Sequence, residues 1–322
     1  MTDTTTTMAD IVVGVDGSDE SFAALKWALR EASLSGQKVN AVFGWTHSWD
    51  MGSEPDSDEA WANIRHEIAT ELRDWVDKAS TGMDFDPENL KLTSVKASGT
   101  AALLQIGENA QQIVVGRRSL GRVMRWFMGS LSASLAEEAK VPVTVVRIMD
   151  DEEATVQDAI ANALTPTDVP VHYAQPDKVP TEGVRPVVVG VDGSETSLHA
   201  LRFAIAEAAL HHAPLNVMFC WQLKDLGTIP GYENAVAPVE AGQTRAEGIL
   251  RQLMDQCEVP EGLKATTNAF HIPASKGLIA ASRYASHLIV GSRGLSGLDA
   301  HFLGSVSKQI VNFAECTVTV VH

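Results

Sequence analysis

The chain has 322 residues, of which 45% are hydrophobic and 20% are charged, and its formal net charge at pH 7 is −16. This length favours two domains of ordinary size, and the negative charge argues against broad electrostatic docking on nucleic acid or on anionic membranes. Three widely spaced cysteines without a CxxC pair, and a start with neither a basic segment nor an apolar run, predict a cytoplasmic protein with reduced thiols, no membrane span and no metal site.

The sequence contains an internal repeat. Residues Ile11 to Trp45 align without a gap on Val187 to Trp221, with about half of the positions identical. The similarity returns near the end of each copy, at IVVGRRSLGRVMRWFMGSLS and at LIVGSRGLSGLDAHFLGSVS. The chain is therefore a tandem duplication. We predict a disordered N-terminal tail at 1–9, a first domain at 10–148, an acidic and proline-containing linker at 149–185, and a second domain at 186–322.

Strands and helices are predicted to alternate within each copy. Each begins with a short β-branched run, IVVGV or VVVGV, followed by an N-cap at Ser18 or Ser194 and an amphipathic helix. Next come a second strand, a helix near 60–79 or 238–256, a third strand, a helix ending near Asn109 or Tyr284, an apolar fourth strand with a glycine-rich loop, a helix from Gly129 or Gly304, and a last strand. This alternation predicts an α/β fold of two tandem doubly wound (Rossmann-like) domains. Each has a five-stranded, mostly parallel sheet in the order 3-2-1-4-5 with helices on both faces.

In such a sheet, ligands bind beyond the carboxyl ends of the strands, where the winding direction reverses. The unusual residues of this sequence follow the first strand, as VGVDGS, and the fourth strand, as the glycine-rich loop. Asp16 or Asp192 at the tip of the first strand could accept hydrogen bonds from sugar hydroxyls. The amides of the loop and of the helix that opens at Gly304, with the Ser305 hydroxyl, could donate to phosphates, and glycine would allow positive φ or close approach.

At these residues the chain resembles the universal stress protein family, whose nucleotide-binding members carry the pattern G-x2-G-x9-G-[S/T] after the fourth strand. The second copy matches the whole pattern, and the resemblance implies ATP as the ligand, with or without Mg2+. It also implies contacts to ribose from Asp192 and Gly291, with Gly193 beside them, and a backbone contact to adenine near Cys220. The residues implied around the phosphates are Gly294, Gly304, Ser305 and Val306.

The first copy departs from this pattern at one position. The corresponding site residues are Asp16, Gly17, Gly116, Ser119, Gly129 and Ser130, and Ser119 stands where the second glycine belongs. If this position required positive φ, serine would cost on the order of 1 kcal/mol or more. Four arginines in the loop RRSLGRVMR could replace part of the lost phosphate contacts. We therefore expect the two sites to be unequal.

Several residues admit a functional reading beside a structural one. The arginine loop with Trp126 could contact single-stranded nucleic acid, or be a solvated loop paired with acids. His301 could approach a phosphate or lie unpartnered on the surface. The tryptophans Trp45 and Trp221 could stack on adenine or be buried against a helix. Cys220 could be redox-active, although its buried strand favours an inert thiol.

No known catalytic motif is present, so slow ATP hydrolysis at most is expected. Both copies end in an apolar β-branched strand whose free edge favours pairing, and the resembling family commonly dimerises there. We therefore predict an intramolecular pseudo-dimer and allow a homodimer, with unknown protein partners. The leading hypothesis is a cytosolic, ATP-binding stress-response protein that acts as a nucleotide-dependent switch. The alternatives are a nucleotide-independent scaffold and an enzyme that uses the nucleotide as substrate.

Overall fold

A computed structural model describes residues 10–46, 57–83, 85–117, 130–148, 185–233, 235–294 and 303–322. The chain divides after Ile148 into two compact units. The predicted tail at 1–9, and the predicted linker up to residue 184, lie outside the described residues.

The first unit is built from five parallel strands and the helices between them. The strands are β1 (Ile11–Gly14), β2 (Val39–Trp45), β3 (Leu90–Lys96), β4 (Gln112–Gly116) and β5 (Val143–Val146). The helices are α1 (Asp19–Ser35), α2 (Asp58–Ser80), α3 (Gly99–Ile106) and α4 (Ser130–Glu138). Strand pairing gives the order β3-β2-β1-β4-β5, as the sequence predicted.

The second unit repeats this plan. Its strands are β6 (Val187–Gly190), β7 (Leu215–Cys220), β8 (Ala265–Phe270), β9 (His287–Gly291) and β10 (Thr317–Val321). Its helices are α5 (Glu195–Leu210), α6 (Val239–Met254), α7 (Ala274–Ala281) and α8 (Ser305–Phe313). All four pairings are parallel and give the order β8-β7-β6-β9-β10, which is the same topology.

The first strands are short and β-branched because both of their faces are buried. Ile11 and Val13 belong to the core beneath α1 and α2. Val12, which points to the opposite face, is also buried, and α3 packs on this strand. Apolar burial of this kind is the main stabilising term of the fold.

The predicted N-caps are confirmed. The Ser18 hydroxyl accepts a hydrogen bond from the Ser21 amide at 3.2 Å, and the Ser194 hydroxyl accepts one from the Ser197 amide at the same distance. Such a cap stabilises a helix by about 1 kcal/mol. It also fixes where the chain turns from the first strand into the first helix of each unit, next to the predicted site.

The described part of the chain holds no helix that is both long and apolar enough to cross a lipid bilayer.

Candidate functional site

The turn after the first strand has the same geometry in both units. Oδ1 of Asp192 accepts hydrogen bonds from the amide of Ser194 at 3.0 Å and from its hydroxyl at 2.6 Å, and Asp16 holds Ser18 in the same way. The glycine between them has φ of +82° at Gly17 and +89° at Gly193. Since other residues avoid this conformation, these two glycines shape the turn that carries the aspartate.

A pocket of about 310 Å³ opens in the first unit at the carboxyl ends of β1, β2, β3 and β4. It lies where the reversal of winding predicts a ligand site, and its volume is at the lower end of the range for small-molecule sites. Asp16 and Gly116 of the predicted set line it together. The other described lining residues are Gly14, Val15, Ser18, Glu20, Ser21, Val42, Phe43, Gly44, Ser98, Gly99, Thr100, Leu103, Val115 and Ser132.

The end of the fourth strand lies against the first turn of the first helix in both units. A Cβ placed on Gly116 would overlap the backbone of Glu20. In the second unit, a Cβ on Gly291 would lie 3.1 Å from the Cγ2 atom of Thr196. Glycine at this position therefore allows the two motifs that are distant in sequence to meet in one crevice.

In the second unit, Gly294 lies directly against the Asp192 carboxylate. A Cβ built on Gly294 would collide with Oδ2 of Asp192. The first two glycines of the loop motif, Gly291 and Gly294, thus approach the residues that follow the first strand. The structure brings Asp192, Gly291 and Gly294 together, as the sequence predicted for one site.

The loop glycines serve close approach rather than an unusual backbone conformation. None of the motif glycines Gly291, Gly294 and Gly304 has positive φ. Of the two roles expected for glycine in this loop, positive φ is therefore not seen at these three positions. A serine at the second position would thus not be strained by its φ in the second unit. A side chain at position 294 would instead collide with the Asp192 carboxylate.

Helix α8 begins at the same edge, with Gly304 as its N-cap and no side-chain cap. The Gly304 amide donates to the carbonyl of Ser292 at 2.8 Å. This hydrogen bond occupies the Gly304 amide within the protein. The amides of the first helical turn, which begins with Ser305 and Val306, have no acceptor within the helix. They remain the candidate anion donors of this unit.

A serine ties the start of α8 to the end of β9. The buried hydroxyl of Ser307 donates to the carbonyl of Gly291 at 2.7 Å. The Ser292 amide donates to the carbonyl of Val321 in β10 at the same distance. The Ser292 hydroxyl is buried and has no hydrogen-bond partner among the described residues. The Ser307 hydrogen bond therefore joins the first turn of the helix to the strand end.

Cys220 lies at the end of β7 but its side chain packs away from solvent, on helix α7. A Cβ on Gly277 would lie 2.5 Å from the Cys220 sulfur. Burial raises the pKa of the Cys220 thiol to about 12. A thiol that stays protonated at neutral pH is a poor nucleophile, which supports the inert reading over the redox one.

The first unit has the reverse arrangement at this junction. Gly44 takes the strand position of Cys220, and Ala102 takes the helix position of Gly277. A Cβ on Gly44 would lie 3.0 Å from the Ala102 Cβ. In each unit, one residue at this contact has a side chain and the other is glycine. In the first unit the glycine is on the strand, and this residue, Gly44, lines the pocket.

Both strand-end tryptophans are buried. Trp221 is fully buried, donates its indole N–H to Gln243 at 3.2 Å and stacks on His271 with ring centroids 4.5 Å apart. Trp45 is 8% exposed and contacts the Trp61 ring. This supports the structural reading of both residues over stacking on adenine.

Other predicted residues lie outside the described residues: Ser119, Gly129, His301, Trp126 and the loop arginines after Arg117. Ser130 begins α4, but only its backbone is described.

Sequence reasoning missed the contribution of the third strand. Ser98, Gly99 and Thr100 at the start of α3 line the pocket, as does Glu20 in α1. The carboxyl end of a third parallel strand must reach the same edge as the first and fourth, so the segment after KLTSVKA could have been included. The spacing of the sequence motifs did not identify Glu20 as a pocket residue.

Comparison with known proteins gives a consistent result along the chain. The model of the universal stress protein family matches residues 8–147 and 183–322. A universal stress protein of Mycobacterium tuberculosis is 27% identical over 315 residues, covering 96% of both chains, and one of Mycolicibacterium smegmatis is 28% identical over 323 residues, covering 97% of this chain and 96% of the other. The crystal structure of a universal stress protein from Archaeoglobus fulgidus covers 97% of both chains with a TM-score of 0.61 and 16% identity, which shows the shared fold.

Proposed function

Because the chain belongs to the universal stress protein family, with one family domain in each half, we propose that it is an ATP-binding stress-response protein. Nucleotide binding would act as a switch, since a ligand shifts a conformational equilibrium when it binds one state more tightly than the other. We also propose that the protein is cytoplasmic.

The observation that carries this proposal is the pocket of the first unit. It combines the carboxylate of Asp16 with the hydroxyls of Ser98 and Thr100 and with the glycine backbone of Gly44 and Gly116. Carboxylate and hydroxyl groups suit the hydroxyls and ring nitrogens of a nucleoside, and bare backbone suits close approach of a planar base. The fit is therefore to a nucleoside-containing ligand.

In the second unit, support comes from the start of α8. Its first-turn amides have no capping side chain, and Gly294 of the loop motif lies against Asp192. A helix N-terminus favours anionic groups through its free N–H groups and its dipole. Asp192 would hold the sugar end of ATP, and Ser305 and Val306 would hold the phosphates. A divalent cation such as Mg2+ would screen the phosphates when it accompanies the nucleotide.

Calorimetric titration of the intact chain with ATP, ADP and AMP, with and without Mg2+, tests the proposal. We expect ATP to bind, and we expect purified protein to release adenine absorbance on denaturation if it carries nucleotide from its host. Absence of binding at near-millimolar nucleotide would leave the nucleotide-independent scaffold as the better account. Pairing of the two final strands, β5 and β10, stays a prediction of the sequence.

A further inference from the structure

We propose that Trp75 is a positioning residue of the first unit: its indole supports two walls of the pocket from behind, and ligand binding in the pocket both depends on this ring and changes its surroundings. The inference rests on the proposed function, because it assumes that the pocket binds ATP. It adds a residue of α2, a helix that contributes no residue to the described lining of the pocket.

Trp75 lies against the turn that carries Asp16. A Cβ built on Gly17, the glycine of this turn, would lie 2.8 Å from Cζ2 and 2.9 Å from Cε2 of Trp75. These distances leave no room for a side chain at residue 17, so the indole and the backbone of the turn are in direct contact. Because Asp16 lines the pocket, the ring behind the turn helps to fix the position of this carboxylate.

The same indole contacts a second wall of the pocket. The rings of Trp75 and Phe43 meet edge to face, with centroids 5.1 Å apart and an angle of 86° between their planes, which is an arrangement that aromatic pairs prefer. Phe43 lies in β2 and lines the pocket. Both rings also pack on the core beneath α1 and α2. One side chain thus joins the turn after β1, strand β2 and helix α2.

The second unit shows that the fold itself does not require an aromatic ring at this contact. Ile249 takes the place of Trp75 there, and its Cγ2 atom would lie 3.1 Å from a Cβ on Gly193. In that unit the aspartate is also confined by the loop, because Asp192 lies against Gly294. Trp75→Ile therefore copies a contact that the fold accommodates, and its effect on the ligand can be measured apart from its effect on folding.

The first experiment is photolabelling of the intact chain with azido-ATP, with the labelled peptides mapped to each unit to give an apparent affinity for each. Trp75→Ile should lower the affinity of the first unit about tenfold, because the turn and Phe43 lose their common support, and leave the second unit within about twofold. Trp75→Phe keeps an aromatic ring beside Phe43 and should retain most of the affinity. Ile68→Ala removes a buried side chain from the same helix, outside the pocket lining, and should lower the denaturation midpoint without changing the affinity.

Fluorine NMR gives a second readout, which a purely structural role would not move. The chain has seven tryptophans, so protein labelled with 5-fluorotryptophan carries seven fluorine atoms. The signal that is missing from Trp75→Phe belongs to Trp75. We expect ATP to shift this signal, with the same midpoint as the labelling of the first unit.

The outcomes separate this inference from the function on which it rests. Equal labelling of the first unit in the wild type and in Trp75→Ile, or a Trp75 signal that stays in place at saturating ATP, would overturn the inference alone. Labelling confined to the second unit would do the same. Failure of azido-ATP to label either unit would overturn the proposed function itself.

Discussion

The carboxylate of Asp192 lies directly against Gly294, so that no Cβ fits at residue 294 without displacing Oδ2. Oδ1 of the same carboxylate is held by the amide and hydroxyl of Ser194. The aspartate is therefore confined from two sides, by its own turn and by the loop after β9. This relationship joins the two motifs of the second unit more directly than their spacing in the sequence could show.

Gly294→Ala tests whether this contact supports ligand binding. The added methyl group must displace the Asp192 carboxylate, which would strain two hydrogen bonds and move the group expected to hold the sugar. We expect the second unit to lose about tenfold or more in affinity for azido-ATP. The measurement is photolabelling of the intact chain with azido-ATP, followed by mapping of the labelled peptides to the second unit.

The matched control is Gly248→Ala in helix α6, where a Cβ would meet open space. It should leave labelling unchanged and stabilise the fold by roughly 0.5 to 1 kcal/mol, because alanine is the better helix former. If Gly294→Ala also left labelling unchanged, the ligand would have to bind elsewhere.

The contact between Cys220 and Gly277 predicts that substitutions at these two positions have coupled effects on stability. Gly277→Ala in the wild-type background places a methyl group on the Cys220 sulfur and should reduce the free energy of unfolding by about 1 to 3 kcal/mol. The double variant Cys220→Gly with Gly277→Ala recreates the Gly44 and Ala102 pair of the first unit. Urea unfolding of the four proteins of this cycle should give a coupling energy of about 1 kcal/mol or more. Additive effects would mean that the two positions do not share this contact.

The Cys220 thiol should resist modification in the folded protein. Burial raises its pKa to about 12, so at pH 8 it is protonated as well as inaccessible. Cys257 is partly exposed and should react first with a disulfide reagent, while Cys220 should react only after denaturant is added. Peptide mapping of the labelled cysteines decides the order. Rapid labelling of Cys220 in native buffer would contradict the packing described at Gly277.

The same pKa shift has a consequence at high pH. The unfolded thiol ionises near its ordinary value of 9.0, whereas the folded thiol holds its proton up to about pH 12. The contribution of Cys220 to stability is therefore complete below pH 9 and is lost as the pH rises toward 12. Cys220→Ala should flatten this part of the stability curve.

The sequence predicted the fold closely because each level of the pattern agreed with the next. Short β-branched runs, serine N-caps and a repeated helix period all indicated alternating strands and helices, and the pairing shows the strand order expected for the doubly wound fold. The N-caps at Ser18 and Ser194 could be read directly, because a serine before an acidic first turn has a local physical reason.

The site was less predictable because its details depend on contacts between distant residues. Gly294 could be identified from its motif, but its collision with Asp192 and its ordinary φ could not. The use of the Gly304 amide by the Ser292 carbonyl, and the burial of Cys220 on Gly277, depend on how strand ends and helices are placed in three dimensions. Glu20 carried no pattern at all, since an acid in the first turn of a helix is ordinary.

The last prediction concerns His322, which follows β10 and lies near Arg293. Burial and the positive charge of Arg293 lower the pKa of His322 from 6.5 to about 4. Its Nε2 is buried and has no hydrogen-bond partner in the part of the chain that the structure describes. As the pH falls, this histidine is therefore protonated at a higher pH in the unfolded chain than in the folded chain. Stability attributable to neutral His322 is complete above pH 6.5 and is lost as the pH falls toward 4, by about 2 to 3 kcal/mol in total.

Denaturant unfolding at pH 7, 5.5 and 4.5 measures this loss. His322→Gln cannot take up the proton, so its free energy of unfolding should fall less steeply over this range than that of the wild type, although the two start from similar values at pH 7. His66→Gln, at an exposed position on α2, removes a histidine without touching the buried one and should leave the slope as it is. Equal slopes for wild type and His322→Gln would mean that the imidazole is solvated in the folded protein, and would remove the electrostatic link between Arg293 and the end of β10.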